Sequence, residues 1–130
     1  MKRVLVVDDN DDNIRLIRFI VQKGGYGVIE ARDGFEGVRL AVQEKPDLII
    51  MDIQLPGIDG LEATRRIRAS EVSGNIPIIA LTSFAMPADK AKALAAGCNS
   101  YIPKPIEVNS FIAEIRKYLE DAPNQPITKG

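Results

Sequence analysis

The sequence predicts an α/β fold, an open doubly wound parallel sheet of five strands with helices on both faces. Three observations carry this. Short β-branched runs alternate with amphipathic segments from end to end, the pattern of parallel strands between crossover helices. Two of the runs, 48–51 and 76–81, are apolar without alternation, as strands covered on both faces are. The 130 residues, 45% of them hydrophobic, suit one domain with a core of ordinary size. Because parallel crossovers are short and right-handed, five strand-helix units in one domain wind helices onto both sides of the sheet.

Residues 3–7 form the first strand. The first helix starts with Asp11 and Asp12 at its positive end, carries Ile14, Ile17, Ile20 and Val21 on its apolar face, and stops at Gly24-Gly25. Residues 26–31 read as a weaker strand. After Asp33-Gly34 comes a helix with Phe35, Val38 and Val42 at helical spacing, ended by Lys45-Pro46 because proline disfavours helix in the residue before it. The third strand is 48–51, Gln54-Leu55-Pro56-Gly57 is a loop, and Asp59 or Gly60 opens a helix to about Arg68. Residues 76–81 make the fourth strand; Pro87 suits the first turn of an Ala-rich helix that Gly97 closes. A brief fifth strand at 100–102 precedes the best amphipathic stripe of the chain, Val108, Phe111, Ile112, Ile115 and Leu119. Residues 1–120 are thus expected to form the domain, and 121–130, with Pro123 and Pro126, a disordered tail.

Composition narrows the function. A formal charge of −1 gives no excess to attract nucleic acid or an anionic membrane, and no stretch approaches a membrane span or a secretory signal, so a cytoplasmic protein is expected. Cys98, the only cysteine, reads as a small buried hydrophobe. The absence of histidine removes Ser-His and Cys-His catalysis, and any histidine chemistry must come from a partner.

In open parallel sheets ligands bind beyond the carboxyl ends of the strands. The residues at those ends are Asp8 and Asp9, Asp52, Thr82 and Lys104. Three carboxylates gathered at one edge repel, and a divalent cation or a shifted pKa resolves the repulsion. Oxygen ligands without His or Cys favour a hard ion, Mg²⁺ first, which keeps waters that a phosphate can replace. Lys104 and Thr82 would then neutralise and orient phosphoryl oxygens, with a carboxylate as nucleophile. Taken singly these residues mean less. Asp11 and Asp12 read as helix-terminal charges, Thr82 as a satisfied hydroxyl, Lys104 as a surface charge held between two prolines, and Gly34, Gly57, Gly60 and Gly97 as turn or cap residues.

Val4 to Asp9 (VLVVDD), Met51 to Gly60 (MDIQLPGIDG), Ala80 to Ser83 (ALTS) and Tyr101 to Pro105 (YIPKP) together resemble the response-regulator receivers typified by CheY. Single-domain receivers of the DivK type look especially similar. The resemblance implies the strand order 2-1-3-4-5 and a phosphoacceptor switch of two-component signalling or a phosphorelay, not an enzyme in the ordinary sense. It makes Asp52 the phosphoacceptor, Asp9 a direct Mg²⁺ ligand and Asp8 a ligand through water, with Gln54 giving its backbone carbonyl. Thr82 and Lys104 would hold phosphoryl oxygens, and the Lys104-Pro105 peptide would be cis. Phosphate on Asp52 would draw Thr82 inward and let the ring of Tyr101 turn, with the 83–86 loop moving; Tyr101 reads equally as plain packing. The phosphoryl donor would be a sensor histidine kinase or a histidine phosphotransfer protein, and the output a contact with another protein target. Whether the chain stands alone or is a piece of a larger regulator or hybrid kinase stays open. An Asp-nucleophile phosphohydrolase would need a second Asp where Gln54 stands, and a flavin binder would need a hydroxyl- and glycine-rich loop where residues 8–12 are acidic.

Overall fold

The computed structural model describes residues 1–83 and 86–121. Its strands β1 (Arg3–Val7), β2 (Gly27–Ala31), β3 (Leu48–Asp52), β4 (Ile78–Thr82) and β5 (Ser100–Pro103) are all parallel, in the order β2-β1-β3-β4-β5. Helices α1 (Asp11–Lys23), α2 (Gly34–Glu44), α3 (Gly60–Ala69), α4 (Pro87–Ala96) and α5 (Val108–Arg116) alternate with them. A π-helical turn over Lys117–Asp121 continues α5. Of the tail expected over 121–130, Asp121 ends this turn; Phe84, Ala85 and residues 122–130 lie outside the described residues.

The unalternating strands are explained by what covers them. On one face Val4, Val6, Leu48, Ile50, Ile79 and Leu81 pack with Ile14, Ile17 and Val21 of α1 and Phe111 and Ile115 of α5. On the other, Leu5, Val7, Ile49, Met51, Ile78 and Ala80 meet α2, α3 and α4 through Ala41, Ala63, Ile67 and Ala93. Each large aliphatic side chain so buried contributes roughly 1.5–3 kcal/mol. Asn10, Asp33 and Asp59 cap α1, α2 and α3, each side chain accepting a backbone N–H three residues on.

Three expectations are corrected. Tyr26 is not part of β2, because its N–H bonds to the Val21 carbonyl and closes the end of α1. β4 starts at Ile78, not Ile76, since the Ile76 N–H turns back to Ser73 and Pro77 has no N–H to give. The apolar stripes also mislead at two positions: Phe35 is 54% exposed and Val108 47%. Helix α2 instead faces the sheet with Gly37 and Ala41, so close that a Cβ on Gly37 would come within 2.9 Å of Val7. Small residues set that separation, and Phe35 is left outside with the Arg66 guanidinium over its ring.

Candidate functional site

The register of the sheet brings the polar strand ends together. Val7 lies opposite Met51, so Asp8 and Asp52 follow side by side on adjacent strands. Thr82 lies opposite Pro103, and the Lys104 N–H donates to the Thr82 carbonyl at 2.8 Å, which sets the lysine beside β4. The Lys104-Pro105 peptide is cis.

Asp8 and Asp52 are almost fully buried, at 0% and 2% exposure, while Asp9 is open to solvent. One carboxylate oxygen from each of Asp8, Asp9 and Asp52 lies within 4.8 Å of the others. The Lys104 ammonium donates to Asp52 Oδ2 at 2.9 Å and lies 3.9 Å from Asp8 Oδ2. Asp52 Oδ1 accepts the Gln54 N–H at 3.0 Å, and Asp8 Oδ1 accepts the Asn10 N–H at 2.9 Å. Asp8 and Asp52 therefore share the Lys104 ammonium, with the Asp9 carboxylate close beside them. Burial, above all, pushes the Asp8 carboxyl up to about 6, the Asp52 charge adding to it against the Asn10 N–H and the Lys104 ammonium. Such a donor set, all oxygen and short of positive charge, fits a hard divalent cation.

Thr82 is buried at the end of β4, and Tyr101 is half-buried on β5. Both line a small cavity of about 50 Å³, together with Ile53, Leu61, Asp89, Lys92 and Ala93. The residues singled out from the sequence thus sit at one edge of the sheet, with Tyr101 behind the cluster beside Thr82.

Two contributors were not anticipated. Asn13 Nδ2 reaches Asp8 Oδ2 at 3.4 Å from the first turn of α1. Gly60, read as a turn residue, is the first residue of α3, and a Cβ there would lie 2.1 Å from the Asp52 carbonyl oxygen and 2.7 Å from Ile53 Cα. Its task is close approach. Gly57 and Gly97 do have the positive φ of turn and cap residues, at 76° and 117°.

Comparison with known proteins identifies the family and the fold. The response regulator receiver domain model matches residues 4–116. The polar-differentiation response regulator DivK of Brucella anthropi is 45% identical over 121 residues, 93% of this chain and 98% of that protein. The receiver domain of sensor histidine kinase PA1611 from Pseudomonas aeruginosa, solved with a magnesium ion coordinated in its active site cleft, superposes with a TM-score of 0.84 at 37% identity, covering 91% of this chain and 97% of that one. Vibrio cholerae chemotaxis protein CheY4 gives a TM-score of 0.86 at 28% identity, over 91% of this chain and 98% of that one.

Proposed function

The chain belongs to the response regulator receiver domain family, and on that premise we propose that Asp52 is the residue that takes a phosphoryl group from a partner phosphohistidine. The observation that carries this reading is the environment of Asp52, a buried carboxylate held by Lys104 at 2.9 Å beside Asp8 and Asp9.

In the transfer, an Asp52 carboxylate oxygen forms a bond to phosphorus as the phosphorus–nitrogen bond to the donor imidazole breaks, and the bonding pair returns to that nitrogen. The Lys104 ammonium and the Thr82 hydroxyl would then hold phosphoryl oxygens, and the backbone N–H of Gln54 orients the attacking carboxylate. Asp8, Asp9, Asp52 and the Gln54 carbonyl would hold Mg²⁺, which when bound supplies the positive charge that the phosphoryl oxygens and the carboxylates share. The donor is a sensor histidine kinase or a histidine phosphotransfer protein, since this chain has no histidine of its own. In this reading the receiver spans residues 1–120 and works in the cytoplasm; among the described residues no helix is long and apolar enough to cross a membrane. It is a switch that takes part in its own phosphorylation and dephosphorylation. The acid-base carboxylate of a phosphohydrolase would fall at Gln54, which offers an amide.

Phosphate on Asp52 would draw Thr82 inward and open the shared cavity to the Tyr101 ring, altering the face of α4, β5 and α5 that another protein reads. Acetyl phosphate with Mg²⁺, followed by intact mass, tests the assignment. Wild type gains one phosphoryl group and Asp52→Asn gains none; labelling that persists in Asp52→Asn overturns it.

A further inference from the structure

Helix α4 is clasped at its C-terminal end. Its buried residues, Ala93 and Ala96, both lie in its second half. Just beyond, Arg68 of α3 reaches across. Its Nε donates to the Gly97 carbonyl at 2.9 Å, and its two terminal nitrogens donate to the Ile76 carbonyl at 2.5 Å, the Gly74 carbonyl at 3.2 Å and Asn99 Oδ1 at 2.8 Å. The same Asn99 oxygen accepts the Ile78 N–H that starts β4. Gly97 sits directly on the arginine, for a Cβ there would come within 2.7 Å of Arg68 Cγ. One guanidinium thus ties the end of α4 to the α3–β4 connection and to the start of β5.

Among the described residues the other end has no such clasp, only the exposed Lys90 ammonium 5.9 Å from the Tyr101 ring. Met86, at the N-cap, makes no side-chain capping bond and is 66% exposed. Pro87 and Ala88 are exposed, and Asp89 and Lys92 stand over the 50 Å³ cavity that Thr82 and Tyr101 also line. A cavity of that size exceeds what one water needs, so a side chain can move into it without displacing packed neighbours.

We propose that Arg68 is a positioning residue for the switch, the fixed end about which α4 tilts when the cavity behind Thr82 changes shape. This rests on the receiver reading above. Ten residues of helix span about 15 Å, so a tilt of about 10° about Gly97 moves Pro87 by roughly 2–3 Å while the Gly97 end stays in place. The clasp turns a small event at Thr82 into a larger one at the exposed start of α4.

Amide NMR of the full chain, with and without Mg²⁺ and beryllofluoride as the phosphoryl mimic, tests this. In wild type the shift changes are large at residues 86–92 and fall to near zero at 97–99. In Arg68→Ala, Ile53 and Gln54 still respond to the mimic, but the gradient is lost and exchange at Gly97 and Cys98 quickens at least tenfold. Arg68→Lys, which keeps the stem under Gly97 and one donor, restores part of the gradient; should Arg68→Ala fail to fold, this variant alone shows the partial loss. Wild-type changes as large at 97–99 as at 86–92, or an unaltered gradient in the Arg68 variants, overturn the proposal. Silence at Ile53 and Gln54 in wild type would instead sink the phosphoacceptor role of Asp52, and the lever with it.

Discussion

Replacing Asp8 by Asn should stabilise the metal-free protein and weaken its response to Mg²⁺. The Asp8 carboxyl is pushed from its ordinary 3.8 up to about 6, which corresponds to about 3 kcal/mol against the charged form. A carboxyl whose folded pKa is raised contributes its stability below pH 3.8 and loses it as pH rises through about 6. At neutral pH the metal-free fold therefore carries an ionised Asp8 at nearly the full penalty. Asn keeps the acceptor for the Asn10 N–H, but its amide group would face Asn13 Nδ2 and the Lys104 ammonium where Oδ2 now stands. That opposing donor contact offsets part of the gain and leaves about 2 kcal/mol.

For a domain of this size about 2 kcal/mol raises Tm by roughly 6–10 °C. Thermal melts in EDTA at neutral pH should show that rise. With Mg²⁺ at a hundred times its Kd the wild type gains about 2.7 kcal/mol by mass action, and the variant, lacking the Asp8 charge proposed to help hold the ion, gains much less, so the gap closes. The difference between the two proteins should also shrink on acidification from about pH 6 to pH 4, where Asp8 takes up its proton; reading the difference cancels the titration of carboxylates remote from the site. A variant less stable than wild type in EDTA, or an equal gain from Mg²⁺ in both, would refute the reasoning.

Lys104→Ala removes the cation at 2.9 Å from Asp52; acetyl phosphate should still label it, at least tenfold more slowly, while the Tyr101 ring resonances stop responding. A normal Tyr101 response would count against the role given to the lysine. Gly60→Ala places a methyl 2.1 Å from the Asp52 carbonyl, with backbone on both sides of the clash, and should cost about 3 kcal/mol or more in urea denaturation. A loss under about 0.5 kcal/mol would show that α3 can shift freely at the site.

The charged part of the site was legible because two simple rules generate it. Unalternating apolar runs identify covered parallel strands, and ligands gather at the carboxyl ends of such strands. Asp8, Asp52, Thr82 and Lys104 therefore follow from where hydrophobicity stops. Helix faces were less legible. Phe35 and Val108 fit apolar stripes yet are exposed; for Phe35 the reason is that a stripe counts hydrophobic side chains, whereas α2 meets the sheet through Gly37 and Ala41. Asn13 reaches Asp8 from the first turn of α1, a contact fixed by the angle at which that helix leaves the sheet.

The glycines show most plainly what a hydropathy pattern omits. Gly34 and Gly60 each occupy the first position of a helix, and neither has the left-handed backbone that would explain a glycine. A Cβ on Gly34 would come within 2.8 Å of the Ile58 carbonyl, and one on Gly60 would strike the Asp52 carbonyl. The N-termini of α2 and α3 thus press on the β3–α3 loop from both ends, at Ile58 and at Asp52. Between those two points lies Gln54, whose N–H already fixes one Asp52 oxygen at 3.0 Å. The loop is held by shape and its carboxylate by charge, so a substitution at Gly34, remote from the acidic cluster in sequence, should disturb Asp52 through Ile58 and Gln54 before it disturbs the fold.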